Sequence, residues 1–97
     1  MVTHVVLMKF KPENQLPNLE RARVLLLDMM GKVACLRAIE VGLNCVPSER
    51  AFDLSLITRF DDLAGLHAYA DHPVHVEVKK FLAGVLEKSH VVDYQAE

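Results

Sequence analysis

These 97 residues supply little of the raw material for the more familiar enzyme chemistries. Glycine occurs four times and never in a cluster that could cradle a phosphate. The two cysteines, Cys35 and Cys45, form neither a CxxC pair nor a metal-binding spacing. They bracket a segment that reads as a strand, so at ~3.3 Å per residue they lie roughly 30 Å apart, far beyond the ~7 Å that a disulfide tolerates. Both thiols are expected to be free. No Ser-His-Asp order and no nucleophilic cysteine context is visible. Basic charge is not in excess: Lys and Arg number 11 against 13 Asp and Glu, the net charge is −2, and Lys79-Lys80 is the one basic doublet. Nucleic acid and acidic membrane surfaces are therefore poor partners. No apolar run approaches the ~18 residues of a membrane span. The opening "MVTHVVLMKF" carries His4 and Lys9 and lacks a cationic start or a small-residue cleavage site. A cytoplasmic protein is the expectation.

What is present is a globular composition, 52% hydrophobic and 25% charged, in a length that suits one domain, residues 1–97. Residues 2–11 alternate as a strand, with Val2, His4, Val6, Met8 and Phe10 on one row and Thr3, Val5, Leu7, Lys9 and Lys11 on the other. A helix is predicted from about Leu19 to Gly31, capped by Asn18, with Ala22, Leu25, Leu26 and Met29 at helical spacing. Residues 35–46 and 51–60 read as second and third strands around the turn "PSER". Asp61 or Asp62 then caps a short helix to about Ala70. Pro73 breaks it and opens another helix to about Lys88, because proline lacks an N–H but suits a first helical turn. "SHVVDYQ" is the fourth strand.

The order is βαββαβ, an α+β ferredoxin-like arrangement with a four-stranded antiparallel sheet. Helices cover one face of such a sheet, and the other is then expected to be polar. Here the first strand is apolar on both rows, and Ile39, Val41, Leu43 and Ile57 are expected opposite the other apolar residues of their strands. A second copy of the sheet is the natural cover, so a homodimer by sheet-to-sheet packing is predicted.

The stretches "THVVLMKFKPE", "IEVGLNCVPSERAFDLSLITRFDDLAGLHAYADHPVHVE" and "VVDY" resemble the stress-responsive A/B barrel (Dabb) family over nearly the whole chain. The resemblance implies two sheets packed into a dimeric α+β barrel. It also implies kinship with a plant polyketide cyclase of that family, olivetolic acid cyclase, which uses no organic cofactor. Tyr69, His75 and His4 match that enzyme's pocket residues in spacing. Small monooxygenases and lactone isomerases belong to the wider superfamily, so the fold does not choose a reaction.

Read as chemistry, His75 falls in the first turn of the last helix, where exposed N–H groups and the helix dipole disfavour a charged imidazole. A neutral imidazole suits a general base, and Tyr69 could stabilise an oxyanion. His4 is either a pocket-wall residue or a core histidine held by Asp93 or Tyr94, which antiparallel pairing places beside it; His90 should lie toward Lys9. His72 is read as a junction cap, Asp71 as a solvated turn residue, and Met8, Met29 and Met30 as core filler. His72 and His75 with Asp71 or Glu77 make a weaker metal alternative, since zinc wants three or four ligands in fixed geometry. No cofactor is expected. Three functions stay open: a dimer binding a small apolar or aromatic molecule, with His4, Tyr69 and His75 as ligand-binding residues; a cofactor-free enzyme on a carbonyl-rich, polyketide-like substrate with His75 and Tyr69 catalytic; and, ranked third, a superfamily-type monooxygenase or isomerase.

Overall fold

The computed structural model describes residues 1–95. Seven elements follow in order: β1 (Val2–Phe10), α1 (Gln15–Leu27), β2 (Ala38–Leu43), β3 (Leu54–Phe60), α2 (Leu63–Asp71), α3 (Pro73–Val85) and β4 (Leu86–Gln95). The strands form one antiparallel sheet in the order β2-β3-β1-β4. This is the ferredoxin-like topology the sequence pattern implies, with β3 and β1 at its centre.

Alternation decides which row of each strand is buried. Val2, Met8 and Phe10 of β1 and Leu54, Leu56, Thr58 and Phe60 of β3 are all buried, and they share the face beneath the helices. Leu19, Ala22 and Leu26 of α1, Leu66 and Tyr69 of α2, and Val78 and Leu82 of α3 close that face. Burying a side chain such as Leu26 or Met29 contributes about 1.5–3 kcal/mol, so this single layered core accounts for most of the fold's cohesion.

The second strand corrects the expected facing. Ile39, Val41 and Leu43 pair with Thr58, Leu56 and Leu54, and therefore belong to the helix-covered row. Of the four residues expected on the opposite row, Ile57 alone lies there. The open face is nonetheless apolar along its centre, where Val5 and Leu7 neighbour Ile57, Val92 and Tyr94.

Element ends also differ from the pattern for local reasons. The first helix begins at Gln15, not Leu19, with Asn14 as N-cap at φ 53°. Pro17 looks like a helix breaker in sequence, but it occupies the first turn, where N–H groups have no helical acceptor to lose. The helix stops at Leu27, and turns carry the chain to Gly31 at φ 90°. Met30 is consequently exposed and is not core filler, whereas Met8 and Met29 are buried. The second strand is six residues long; Cys35 and Cys45 fall outside it, with both thiols free.

The third strand starts late because Asp53 turns its side chain into the ladder. Its Oδ2 accepts the Phe10 N–H at 2.7 Å while its own N–H donates to Met8 at 2.9 Å. At the other end α3 runs into β4 without a loop, so the last helix ends at Val85 and the last strand begins at Leu86. A register shift between Lys9 and Phe10 absorbs the junction. Among the described residues no helix is long and apolar enough to cross a membrane.

Candidate functional site

The junction between α2 and α3 builds the site. His72 has extended backbone, φ −65° and ψ 135°, as a residue before proline should. It ends α2 and caps α3, with Nδ1 accepting the Val74 N–H at 3.1 Å. Asp71 closes α2 and is exposed. The junction thus turns the chain between Tyr69 and His75 and brings their rings together.

His75 is half-buried in the first turn of α3. Its Nδ1 lies 3.2 Å from the carbonyl oxygen of Ala70. A carbonyl only accepts, so Nδ1 carries the proton and Nε2 is the basic nitrogen. Burial pushes the imidazole pKa below its ordinary value, against the opposing pull of the Ala70 hydrogen bond; the Lys79 charge adds to the lowering. The neutral form is favoured, by desolvation first.

Tyr69 is 1% exposed. Its ring lies between Phe60, at a centroid distance of 5.0 Å, and His75, stacked at 4.0 Å and 27°. The phenol oxygen is buried and, among the described residues, has no hydrogen-bond partner. Burial raises its pKa far above the ordinary tyrosine value, so it keeps its proton. His4 completes the cluster edge-on to Tyr69, centroids 6.2 Å apart. Its Nδ1 is hydrogen-bonded to Asp93 Oδ1, which the β1–β4 register places directly opposite. His90 faces Leu7 three pairs further along, against Phe52 on the other side of the sheet.

A cleft of about 510 Å³ opens beside these rings, between β1, β3 and β4 below and α1 and α3 above. His4 and His75 line it, with an apolar wall of Val6, Met8, Leu26, Leu56, Leu82, Ala83, Leu86 and Val91. Lys79 and Ser89 are its remaining polar groups. Tyr69 does not line it, so of the three residues singled out in the sequence two reach the cleft and one is packed among them. Lys79 was missed. Its signal was available: it sits four residues after His75 and so shares a helix face with it.

The profile of the stress responsive A/B barrel domain matches residues 2–96. The chain belongs to this family. A crystal structure from Bacteroides fragilis, described as a dimeric protein of unknown function with a ferredoxin-like fold, is 34% identical; the match covers 98% of this chain and 95% of that one at a TM-score of 0.90. An A/B barrel protein from Mesorhizobium loti is 22% identical, with 99% and 96% covered and a TM-score of 0.82. The hydroxynitrile lyase of Passiflora edulis is similar in fold, at 16% identity, 99% and 93% coverage and a TM-score of 0.88. A search among curated proteins found no match.

Proposed function

We propose that this A/B barrel chain is a homodimer that binds a small apolar or aromatic molecule in the cleft between sheet and helices. The cleft itself carries the reading. Its volume of about 510 Å³ falls within the few hundred to ~1,000 Å³ typical of small-molecule sites. An apolar wall with a few convergent polar groups is the chemistry such sites share. The open sheet face lies on the other side of the sheet, so pairing of two sheets there leaves the cleft free. Val92 and Tyr94 are 56% and 48% exposed on that face, an arrangement a second copy would cover. The dimeric description of the Bacteroides fragilis protein supports a dimer.

A saturable titration with an environment-sensitive aromatic fluorophore tests the binding. Ala83→Trp, which fills the cleft from an exposed helix position, should abolish it. Binding unaffected by that substitution would place the ligand elsewhere.

A second reading is favoured by the unpartnered Tyr69 hydroxyl and by the lowered pKa that burial gives His75. His75 would act as general base, taking a proton from carbon next to a carbonyl, while the Tyr69 O–H donates to the developing oxyanion. This is cyclase-like chemistry without a cofactor. It requires the His75 ring to yield enough for a substrate oxygen to meet the phenol. A screen of carbonyl substrates against wild type, His75→Ala and Tyr69→Phe decides it, and equal activity in all three would exclude these roles.

A further inference from the structure

Lys79 breaks the chemical character of the cleft. Among the described residues it is the one lysine or arginine on the lining, and no carboxylate of theirs lines the cleft with it. The described residues contain four ion pairs, and Lys79 is in none of them. The adjacent Lys80 differs: it holds Glu77 at 3.0 Å. Asp93 of β4, opposite the lining residue His4, is already hydrogen-bonded to it. What Lys79 has instead is a neutral acceptor, the Ala70 carbonyl, at 3.2 Å. His75 Nδ1 bonds the same oxygen at the same distance, so the ammonium and the imidazole lie no more than twice that far apart.

From this we infer that the cleft takes an acid: a small apolar or aromatic carboxylate whose charged group pairs with Lys79 at the solvent side while its body lies along the apolar wall. The inference rests on the reading of the cleft as a ligand site. It adds the class of ligand. Lys79 is exposed, so its ammonium marks the mouth. An anion seated there stays partly hydrated and avoids the full cost of burying a charge. A charged acceptor also makes a stronger hydrogen bond than the carbonyl it displaces. One lysine matches one negative charge; a phosphate dianion would call for more donors than the mouth offers.

The test compares naphthoate with naphthamide, two probes of one shape that differ in charge. Both are titrated into wild type, Lys79→Gln and Lys80→Gln, with Ala83→Trp as the blocked cleft. Wild type should bind the acid on the order of tenfold more tightly than the amide, the effect of one charge-assisted contact. Lys79→Gln should lose that preference by weakening the acid alone. Lys80→Gln removes the same charge from a neighbouring exposed position and should keep it. Equal binding of acid and amide by wild type, both blocked by Ala83→Trp, overturns the acid inference and leaves the cleft reading standing. So does a loss of preference in Lys80→Gln as large as in Lys79→Gln, which would mean a diffuse field. If neither probe binds, or Ala83→Trp blocks neither, the cleft reading falls and the inference with it.

Discussion

The imidazole of His75 stacks on the ring of Tyr69 with centroids 4.0 Å apart and planes 27° from parallel. This contact joins two helices across the His72-Pro73 break, and the Tyr69 hydroxyl beside it is buried with no hydrogen-bond partner among the described residues. A buried hydroxyl left unpaired costs roughly 1–3 kcal/mol. The protein therefore carries a polar group at this spot that adds nothing to its cohesion.

Tyr69→Phe should for that reason be neutral or stabilising, by up to about 1 kcal/mol. In a domain of this size that is a rise in Tm of a few degrees, roughly 4–8 °C per kcal/mol. Thermal unfolding at fixed protein concentration measures it, concentration being held because dimerisation shifts apparent stability. A clear loss of stability would show that the hydroxyl has a partner after all.

His72 should behave in the opposite way. Its Nδ1 accepts the Val74 N–H at the start of α3. His72→Ala removes the cap and should cost about 1 kcal/mol, while His72→Asn, a good capping residue, should restore most of it. Denaturant unfolding of the three proteins reads this directly. His72 does not line the cleft, so probe affinity should be unchanged in both variants. A parallel loss of affinity would mean the junction positions His75 through this cap.

The His72-Pro73 junction was legible in the sequence because proline acts locally: it fixes its own backbone and restricts its neighbour's whatever the rest of the chain does. The βαββαβ order and the placing of Asp93 or Tyr94 beside His4 followed from topology, and the β1–β4 register decides for Asp93. The failures share a different cause. Residues 35–37 and 44–46 continue an alternating pattern past the ends of the ladder, where single bonds from the Arg37 and Asn44 N–H groups to the Arg59 and Asp53 carbonyls close it, since periodicity reports a face and not a hydrogen-bond partner. The row carrying Ile39 and Val41 was misassigned because both rows of β2 contain apolar residues, and pairing with Leu56 and Thr58 decides between them. Tyr69 was expected to face a pocket; its spacing from His75 predicts proximity of the rings, but not which ring shields the other.

The open sheet face gives a prediction about assembly. Leu7 is 39% exposed at the centre of that face, beside Ile57's strand and opposite His90. Leu7→Glu places a charge where a second sheet would pack, and a desolvated carboxylate costs several kcal/mol. Sedimentation should show a dimer for wild type and a monomer for Leu7→Glu at micromolar concentration, with unchanged far-ultraviolet circular dichroism. A wild-type monomer, or a variant that still pairs, would remove the sheet-to-sheet interface.

The last prediction concerns acid. Burial lowers the His75 pKa in the folded protein, whereas the unfolded chain has the ordinary histidine value of about 6.5. Between the two values the unfolded state binds more protons, so stability must rise with pH across that window. The penalty from His75 is absent above the unfolded value, grows as pH falls below it, and levels off once the folded imidazole also protonates. His75→Asn removes this linkage. The stability of wild type relative to His75→Asn, from denaturant midpoints at about pH 8 down to about pH 4.5, should therefore decline as the solution is acidified. Direct titration of the imidazole by NMR should give a midpoint below the ordinary value. A difference that stays flat would mean that the folded imidazole titrates like the unfolded one, and a difference that grows in favour of wild type on acidification would mean that folding raises its pKa; either outcome overturns the desolvated base beside Tyr69.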